Sequence, residues 1–172
     1  AAGSAGGYPL GVMSSPDFID ECRIHVKSGD GGRGCCSFWR EKYVPRGGPD
    51  GGTGGRGGSV SLVADASLAT LLDTHGRKFY RADRGKHGSG GRKDGRGGED
   101  IEVRVPLGTV VKDDETKAVL VELIAPGQTW LAAQGGRGGR GNACFATPTN
   151  QAPITVEPGT PVLVIESDKS EV

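Results

Sequence analysis

The residues with the clearest chemical potential are arginines and lysines placed inside glycine-rich segments. Residues 77–96 carry eight basic side chains against only Asp83 and Asp94, and residues 134–147 add Arg137 and Arg140 without an acid. Cations on a backbone without bulky neighbours can contact phosphates and stack on bases, and exposed N–H groups add donors. The pattern favours polyanion binding over its alternative, ordinary solubilising charge.

Two groups of basic residues are candidates for RNA binding. The stronger candidates lie in or beside the glycine-rich segments and are Arg33, Arg84, Lys86, His87, Arg92, Lys93, Arg96, Arg137 and Arg140. The weaker candidates are Lys42, Arg46 and Arg56. They are weaker because Arg40, Glu41 and Lys42 could instead form a structural ion-pair network.

The sequence predicts no catalytic residue, metal site or cofactor site. A phosphate-binding P-loop needs G-x-x-x-x-G-K-[ST], and the nearest string, residues 85–87, lacks the Ser or Thr after its lysine. The four cysteines form no C-x-x-C pair and the three histidines are scattered, so neither a zinc site nor a nucleophilic dyad is proposed. No apolar run reaches 18 residues, so no transmembrane helix is expected.

The neutral net charge conceals an uneven distribution. Residues 1–98 hold 15 Lys and Arg against 10 Asp and Glu, whereas residues 99–172 hold 6 against 11. The first half of the chain is therefore expected to carry a basic surface although the whole is neutral.

Glycine accounts for 32 residues, where the usual frequency would give roughly a dozen. Four segments, 29–34, 47–58, 85–98 and 135–141, hold 24 of them. Many recur every third residue, which is the period of a polyproline II helix. The structural glycines predicted from this period are Gly48, Gly51, Gly54, Gly57, Gly85, Gly88 and Gly91. Edges without Cβ atoms favour closely packed extended helices over the alternative, disorder.

Short alternating segments predict strands at 18–27, 36–40, 59–64, 101–105, 109–112, 118–124, 128–133 and 161–166. Helical periodicity is almost absent, and one helical turn is expected at 67–73. The predicted fold class is therefore all-β, a small barrel or sandwich that carries a bundle of polyproline II helices.

Several long strings resemble the opening of Obg-family GTPases. They are GDGGRG at 29–34, REKYVPRGGPDGG at 40–52, GGRGG at 54–58, VPLGTVV at 105–111, GGRGGRGN at 135–142 and FATPTNQAP at 145–153. The resemblance implies the Obg fold over residues 17–166, with residues 1–16 a flexible lead or cloning remnant and residues 167–172 a tail. After residue 153 the chain departs from the family pattern, and we do not expect the family's GTPase domain within it.

The resemblance also implies a role in assembly of the large ribosomal subunit. Three glycine-rich tips, expected near residues 28–36, 81–98 and 134–148, would enter the peptidyl-transferase region and contact rRNA. GTP and Mg²⁺ would belong to the parent protein's following domain. The compartment expected is the bacterial cytoplasm, or else the mitochondrial matrix or chloroplast stroma, and the chain is expected to be monomeric.

Three other interpretations remain open at this point. The chain could be a disordered RGG-type RNA binder, or it could be an enzyme in its own right. It could also be a protein-interaction module that docks a GTPase domain or a stress regulator without contacting RNA.

Overall fold

The computed structural model describes residues 19–43 and 47–161, and its strands are short. They are β1 His25–Lys27, β2 Val60–Asp65, β3 Phe79–Arg81, β4 Ile101–Pro106, β5 Thr109–Lys112, β6 Val119–Leu123 and β7 Thr129–Ala133. One α-helix, α1, spans Leu72–Gly76, and a 3-10 helix spans Asn142–Phe145. The prediction of an all-β fold is confirmed.

Three small sheets surround one apolar core. The strand orders are β4-β2-β7, β1-β3 and β5-β6. Strand β2 is central, and its alternate residues Val60, Leu62 and Ala64 are buried because successive side chains of a strand point to opposite faces. Strand β4 adds Val103 and Val105, and the other buried apolar residues are Leu71, Tyr80, Ala82 and Leu123.

The glycine-rich segments form six extended legs that project from one end of these strands. The legs comprise residues 28–35 (leg 1), 50–58 (leg 2), 82–89 (leg 3), 93–98 (leg 4), 135–142 (leg 5) and 157–160 (leg 6). Legs 1, 3 and 5 leave β1, β3 and β7, whereas legs 2 and 4 return to β2 and β4. We call the six legs the glycine bundle.

The legs are joined by backbone hydrogen bonds at every third residue. In leg 1 the N–H groups of Gly29, Gly32 and Cys35 donate to the carbonyl oxygens of residues 58, 55 and 52 in leg 2, at 2.8, 2.8 and 3.0 Å. Legs 5 and 1 follow the same rule, with Gly136 and Gly139 donating to residues 29 and 32 at 2.9 and 2.8 Å. A period of three with bonds only to neighbouring segments is that of packed polyproline II helices.

Most of the predicted structural glycines lie where a side chain has no room. A Cβ atom at Gly51, Gly54, Gly57, Gly85 or Gly88 would overlap a backbone carbonyl oxygen of a neighbouring leg. Gly48 and Gly91 differ from the expectation, because a Cβ at either position would meet nothing within 4 Å. Gly91 has a different requirement, since its φ of 72° lies in the left-handed region.

Some predicted elements differ from the observed ones. Residues 36–40 form no strand but only the bridge between Phe38 and Pro49, because the chain turns back there to begin leg 2. The helical turn lies at 72–76 rather than at 67–73, and only 25–27 of the segment 18–27 pairs as a strand. Strand β3 was not predicted. Most of the strand predicted at 161–166, and all of residues 1–16 and 167–172, lie outside the described residues.

Candidate functional site

The three turns that join the legs meet at the far end of the glycine bundle. Tip 1 comprises residues 36–43 and 47–49, tip 2 residues 90–92 and tip 3 residues 143–156. The family resemblance predicted the first tip near residues 28–36. Residues 28–35 form a leg instead, because they are hydrogen-bonded to legs 2 and 5.

Asn142 connects tips 1 and 3 to leg 2. Its side chain is fully buried, with 0% exposure. Its Oδ1 accepts from the Gly51 N–H at 2.9 Å, and its Nδ2 donates to the carbonyl oxygens of Ser37 and Pro153 at 2.9 and 3.2 Å. One amide group therefore satisfies backbone groups from three parts of the chain, and it fixes their relative positions.

Asp50 connects tips 1 and 2. Its Oδ1 accepts from the Ser37 hydroxyl at 2.6 Å, and its Oδ2 accepts from the Gly91 N–H at 2.9 Å. The Asp50 carbonyl oxygen also accepts from the Arg92 N–H at 2.6 Å. Arg92 itself has a φ of 53°, so the turn holds two successive left-handed residues and presents the Arg92 side chain to solvent.

An open cleft of about 430 Å³ lies between tips 1 and 2. Its lining includes Trp39, Pro49, Asp50 and Arg92, together with the backbone of neighbouring glycines. Trp39 is 48% exposed, and Arg92 borders the same cleft. This pairing suits a stacked base with its phosphate.

Sequence reasoning missed Trp39, Asp50 and Asn142 as site residues. Asp50 and Asn142 lie within the sequence motifs that carry the family resemblance, and Trp39 lies beside one of them. The hydrogen-bond partners of Asp50 and Asn142, however, are distant in sequence. An isolated Trp beside basic residues was the one available signal of a stacking group.

The predicted basic residues are spread along the glycine bundle as well as at its tips. Arg92 and Lys93 lie at tip 2 and the adjoining start of leg 4, and Lys42 lies in tip 1. The remaining described candidates lie on the legs, and they are Arg33, Arg56, Arg84, Lys86, His87, Arg96, Arg137 and Arg140. All of these residues are exposed. Arg46 lies outside the described residues.

Legs 1, 3 and 4 bring four of these residues into one strip. The Arg33 N–H donates to His87 Nδ1 at 3.0 Å, and the Gly88 N–H donates to the Arg33 carbonyl oxygen at 3.0 Å. The Lys86 N–H donates to the Arg96 carbonyl oxygen at 2.9 Å. Arg137 and Arg140 are separate from this strip, because leg 5 packs them beside leg 6.

Some of the basic candidate residues form ion pairs with carboxylates, and others do not. Arg56 pairs with Asp100 at 2.7 Å, Arg96 with Glu99 at 3.0 Å and Arg140 with Glu157 at 4.0 Å. Within residues 19–43 and 47–161 no carboxylate lies within 4.0 Å of the basic groups of Lys42, Arg33, Arg84, Lys86, Arg92, Lys93 or Arg137. Neither Arg40 nor Glu41 forms an ion pair within these ranges, so the ion-pair network considered for 40–42 is not formed among the described residues.

Two acids in or beside the glycine bundle accept hydrogen bonds from residues of leg 2 and from Ser59. The Thr53 hydroxyl and N–H donate to Asp94 Oδ1 at 2.7 and 2.8 Å, and they lower the pKa of that carboxyl. The Ser59 N–H at 2.7 Å, and then Arg56, lower the pKa of Asp100. These carboxylates support the legs, and Asp94 leaves its neighbour Lys93 free of an ion pair.

Comparison with known protein families identifies the family to which the chain belongs. A family model described as GTP1/OBG matches residues 19–167. The chain belongs to the GTP1/OBG family.

Curated relatives agree with this family. The chain is 56% identical over 142 residues to a protein named GTPase Obg from a Sulfurihydrogenibium species, which covers 83% of the chain and 41% of that relative. It is 57% identical to GTPase Obg of Chloroherpeton thalassium over 82% of the chain, and 57% identical to that of Persephonella marina over 84%. The chain spans about two-fifths of the length of these relatives.

Among the described residues, no group of three or more His, Cys, Asp or Glu side chains that could hold a metal ion occurs. None of the helices in the described ranges is long and apolar enough to cross a membrane. The groups that the described tips and legs present to a ligand include exposed cations, an exposed tryptophan and backbone N–H groups.

Proposed function

We propose that this chain is the rRNA-binding domain of an Obg-family GTPase that acts in assembly of the large ribosomal subunit. In this proposal the glycine bundle enters a cavity of the large-subunit rRNA and the sheet core remains outside it. GTP and Mg²⁺ are bound by another part of the parent protein, and the domain itself performs no reaction.

The observation that carries this proposal is the joining of three tips into one rigid end. Asn142 and Asp50 hold tips 1, 2 and 3 through buried or charge-assisted hydrogen bonds of 2.6–3.2 Å. A surface that is already ordered loses little conformational entropy on binding. RNA is recognised largely by shape and by its phosphates, so a slender preformed wedge suits an rRNA cavity.

The unpaired cations support a nucleic acid as the ligand. Arg92 and Lys93 flank the turn of tip 2, and Trp39 offers an exposed ring at the neighbouring cleft. A cation without a carboxylate partner can neutralise a phosphate and release its counterion, whereas a paired cation must first give up its partner. We therefore expect Arg33, Lys86, Arg92 and Lys93 to contribute more than Arg56 or Arg140.

The test removes the two charges at tip 2 and measures binding to purified large subunits at several salt concentrations. The double variant Arg92→Gln/Lys93→Gln should bind more weakly and should lower the salt dependence by about one to two in log–log slope, since each phosphate contact contributes ~0.7 to 0.9. The matched control is Arg104→Gln/Lys112→Gln, which removes two exposed charges from the sheets. Equal binding by the two variants would contradict the proposal.

A protein-interaction role is the second candidate, and one observation favours it. Val119, Leu120 and Ile124, at 60%, 52% and 65% exposure, form an apolar surface on and beside strand β6. Such exposed apolar groups are common in docking surfaces. Capture of partner proteins that survives ribonuclease treatment, and that is lost in Leu120→Asp, would support this role over direct RNA binding.

A further inference from the structure

A pair of stacked aromatic rings lies at the base of the glycine bundle, away from the tips. His25 in β1 and Phe79 in β3 occupy the same register position, and their ring centroids lie 4.8 Å apart with an interplanar angle of 15°. Phe79 is 69% exposed. A ring that served only the core would be buried, as its neighbour Tyr80 is at 7%.

The sheet leaves the outer side of the Phe79 ring open. Strands β1 and β3 form a two-stranded sheet, so Phe79 lies on an edge strand with His25 as its only cross-strand neighbour among the described residues. One face of the phenyl ring is covered by the imidazole. The other face is available to a third planar group.

Basic side chains flank the rings on the same face of the sheet. Lys27 and Arg81 form the register pair two positions further along, and they immediately precede legs 1 and 3. Arg84 follows on leg 3, and the strip of Arg33, Lys86, His87 and Arg96 continues from there. The cations therefore form a row that leads from the rings along the bundle.

The acids of this region are Asp30 in leg 1, Asp83 in leg 3 and Asp114 in the β5–β6 hairpin. Asp114 lies 3.6 Å from Arg23 and 2.6 Å from Lys117, so its charge is shared between two cations. Arg77 Nε donates to the Phe79 carbonyl oxygen at 3.4 Å, and its guanidinium carbon lies 5.0 Å from the centroid of the buried Tyr80 ring. Neither Lys27 nor Arg81 has a carboxylate within 4.0 Å among residues 19–43 and 47–161.

We propose that His25 and Phe79, with Lys27 and Arg81, form a stacking platform for an unpaired base of single-stranded RNA. The base stacks on the open face of Phe79, and Lys27 and Arg81 contact the flanking phosphates. Stacking on an aromatic face tolerates any base, so the platform selects single strands rather than a sequence. Eleven residues separate Phe79 from the start of tip 2, which at ~3.1 Å per residue places the platform roughly 35 Å from that tip.

This inference rests on the proposed function for its class of ligand, but it concerns a separate surface. A platform at the base would bind an rRNA strand that passes the mouth of the cavity while the tips lie inside it. The two sites can therefore fail independently.

The test measures binding of fluorescently labelled oligouridylate, and of an abasic oligomer with the same number of phosphates, to the full chain. The wild-type chain should bind oligouridylate more tightly. Phe79→Leu should weaken oligouridylate binding roughly ten-fold and leave the abasic oligomer unchanged, since one base stack is worth about that much. Phe79→Tyr should retain the affinity, and Arg81→Gln should weaken both ligands.

Leu120→Ala is the control, because it removes an exposed apolar group from another sheet. Circular dichroism and thermal melting of each variant establish that it is folded. Equal affinity of wild type and Phe79→Leu for oligouridylate would overturn the platform. If the tip 2 variant loses large-subunit binding while Phe79→Leu leaves oligouridylate binding unchanged, the proposed function stands and only the platform is removed. If Phe79→Leu weakens oligouridylate binding while the tip 2 variant binds large subunits as the wild type does, the platform stands and the proposed function is removed.

Discussion

The sheet core and the glycine bundle are stabilised in different ways. The core buries nine apolar residues, of which seven come from the three sheets and two, Leu71 and Ala82, lie beside them. The legs of the bundle carry almost no apolar side chains, and those present are Cys35, Ala82 and Pro158. The bundle is held instead by backbone hydrogen bonds at every third residue and by glycines that touch neighbouring carbonyl groups.

The difference has a consequence for function. A core of apolar side chains needs width, because each strand must bury one face against another layer. Packed extended legs need only backbone, so the bundle can be narrow and still ordered. Its surface positions are then free for cations, and this is where Arg33, Lys86 and Arg137 lie.

The largest effect is expected where the bundle cannot accept a side chain. Gly54→Ala places a Cβ against the Gly32 carbonyl oxygen, and leg 2 must separate from leg 1. We expect a cost of about 3 kcal/mol or more, since backbone cannot yield as a side chain can. Hydrogen exchange should show lost protection at the amides of residues 32, 54 and 139, while the amides of β2 remain protected.

Gly48→Ala is the matched control for that change. It lies on the same three-residue column of sequence, but its Cβ would meet nothing within 4 Å. The free energy of unfolding should change by less than ~0.5 kcal/mol. If both alanines were tolerated equally, close backbone packing would not be what holds the legs.

A somewhat smaller but more general effect is expected in the core. Leu123 is fully buried, and Leu123→Ala should cost about 3 kcal/mol through lost burial and a cavity. Because the legs begin and end at the sheets, protection should fall in both regions. Leu120→Ala on the same strand is 52% exposed in the wild type and should cost little. Protection lost in the core alone would show that the bundle is independently stable.

The sequence predicts those parts of the fold that leave a local pattern, either an alternation of apolar and polar residues or a three-residue spacing of glycines. Strands β2, β4, β5, β6 and β7 fall within one or two residues of their predicted ranges, because one face of each is buried or partly buried and the alternation records it. The three-residue glycine columns likewise record close contacts on legs 2 and 3. By contrast, β3 has three residues inside a basic stretch, and it exists because β1 pairs with it over a long sequence separation.

The candidate site was predictable only in part, for the same reason. The cations are visible in the sequence, but which of them are paired depends on Glu99, Asp100 and Glu157, whose neighbours are set by the folded legs. Asn142 resembles any polar residue in a glycine-rich loop. Its role depends on Ser37 and Gly51, about a hundred residues away in sequence.

An intermediate effect is expected at the junction of the tips. Asn142→Ala removes the side-chain hydrogen bonds to Gly51, Ser37 and Pro153, and two longer ones to the Ser37 N–H and Cys36 Sγ. It leaves the Gly51 N–H buried without a partner, at a cost of about 2 kcal/mol. Tips 1 and 3 should lose their fixed relation, so binding to large subunits should weaken even though no charge is removed. Urea denaturation and subunit binding measure the two effects. Asn150→Ala is a suitable control, because Asn150 is exposed in tip 3 and its hydrogen bonds are made within the tip.

The smallest effect is expected from a Thr–Asp side-chain hydrogen bond that occurs both in the glycine bundle and in the β5–β6 hairpin. In the bundle the Thr53 hydroxyl donates to Asp94 at 2.7 Å, and in the β5–β6 hairpin the Thr116 hydroxyl donates to Asp113 at 2.7 Å. Both bonds lower the pKa of the carboxyl. The stabilisation from each is present above the unfolded pKa of about 3.9 and is lost as the pH falls through the lower folded value.

Asp94→Asn should therefore destabilise the chain slightly at neutral pH, and its difference from wild type should shrink as the pH falls below about 4. Asp113→Asn should do less at every pH. Asp113 bonds to a residue three positions away, within a turn that is already closed, whereas Asp94 joins legs 4 and 2 across 41 residues of sequence. Urea denaturation of both variants from pH 2.5 to 7 makes the measurement. Equal losses of stability in the two variants would mean that the Thr53–Asp94 bond stabilises the bundle no more than a local turn bond stabilises the hairpin. Leg 4 would then be held in place by backbone hydrogen bonds alone.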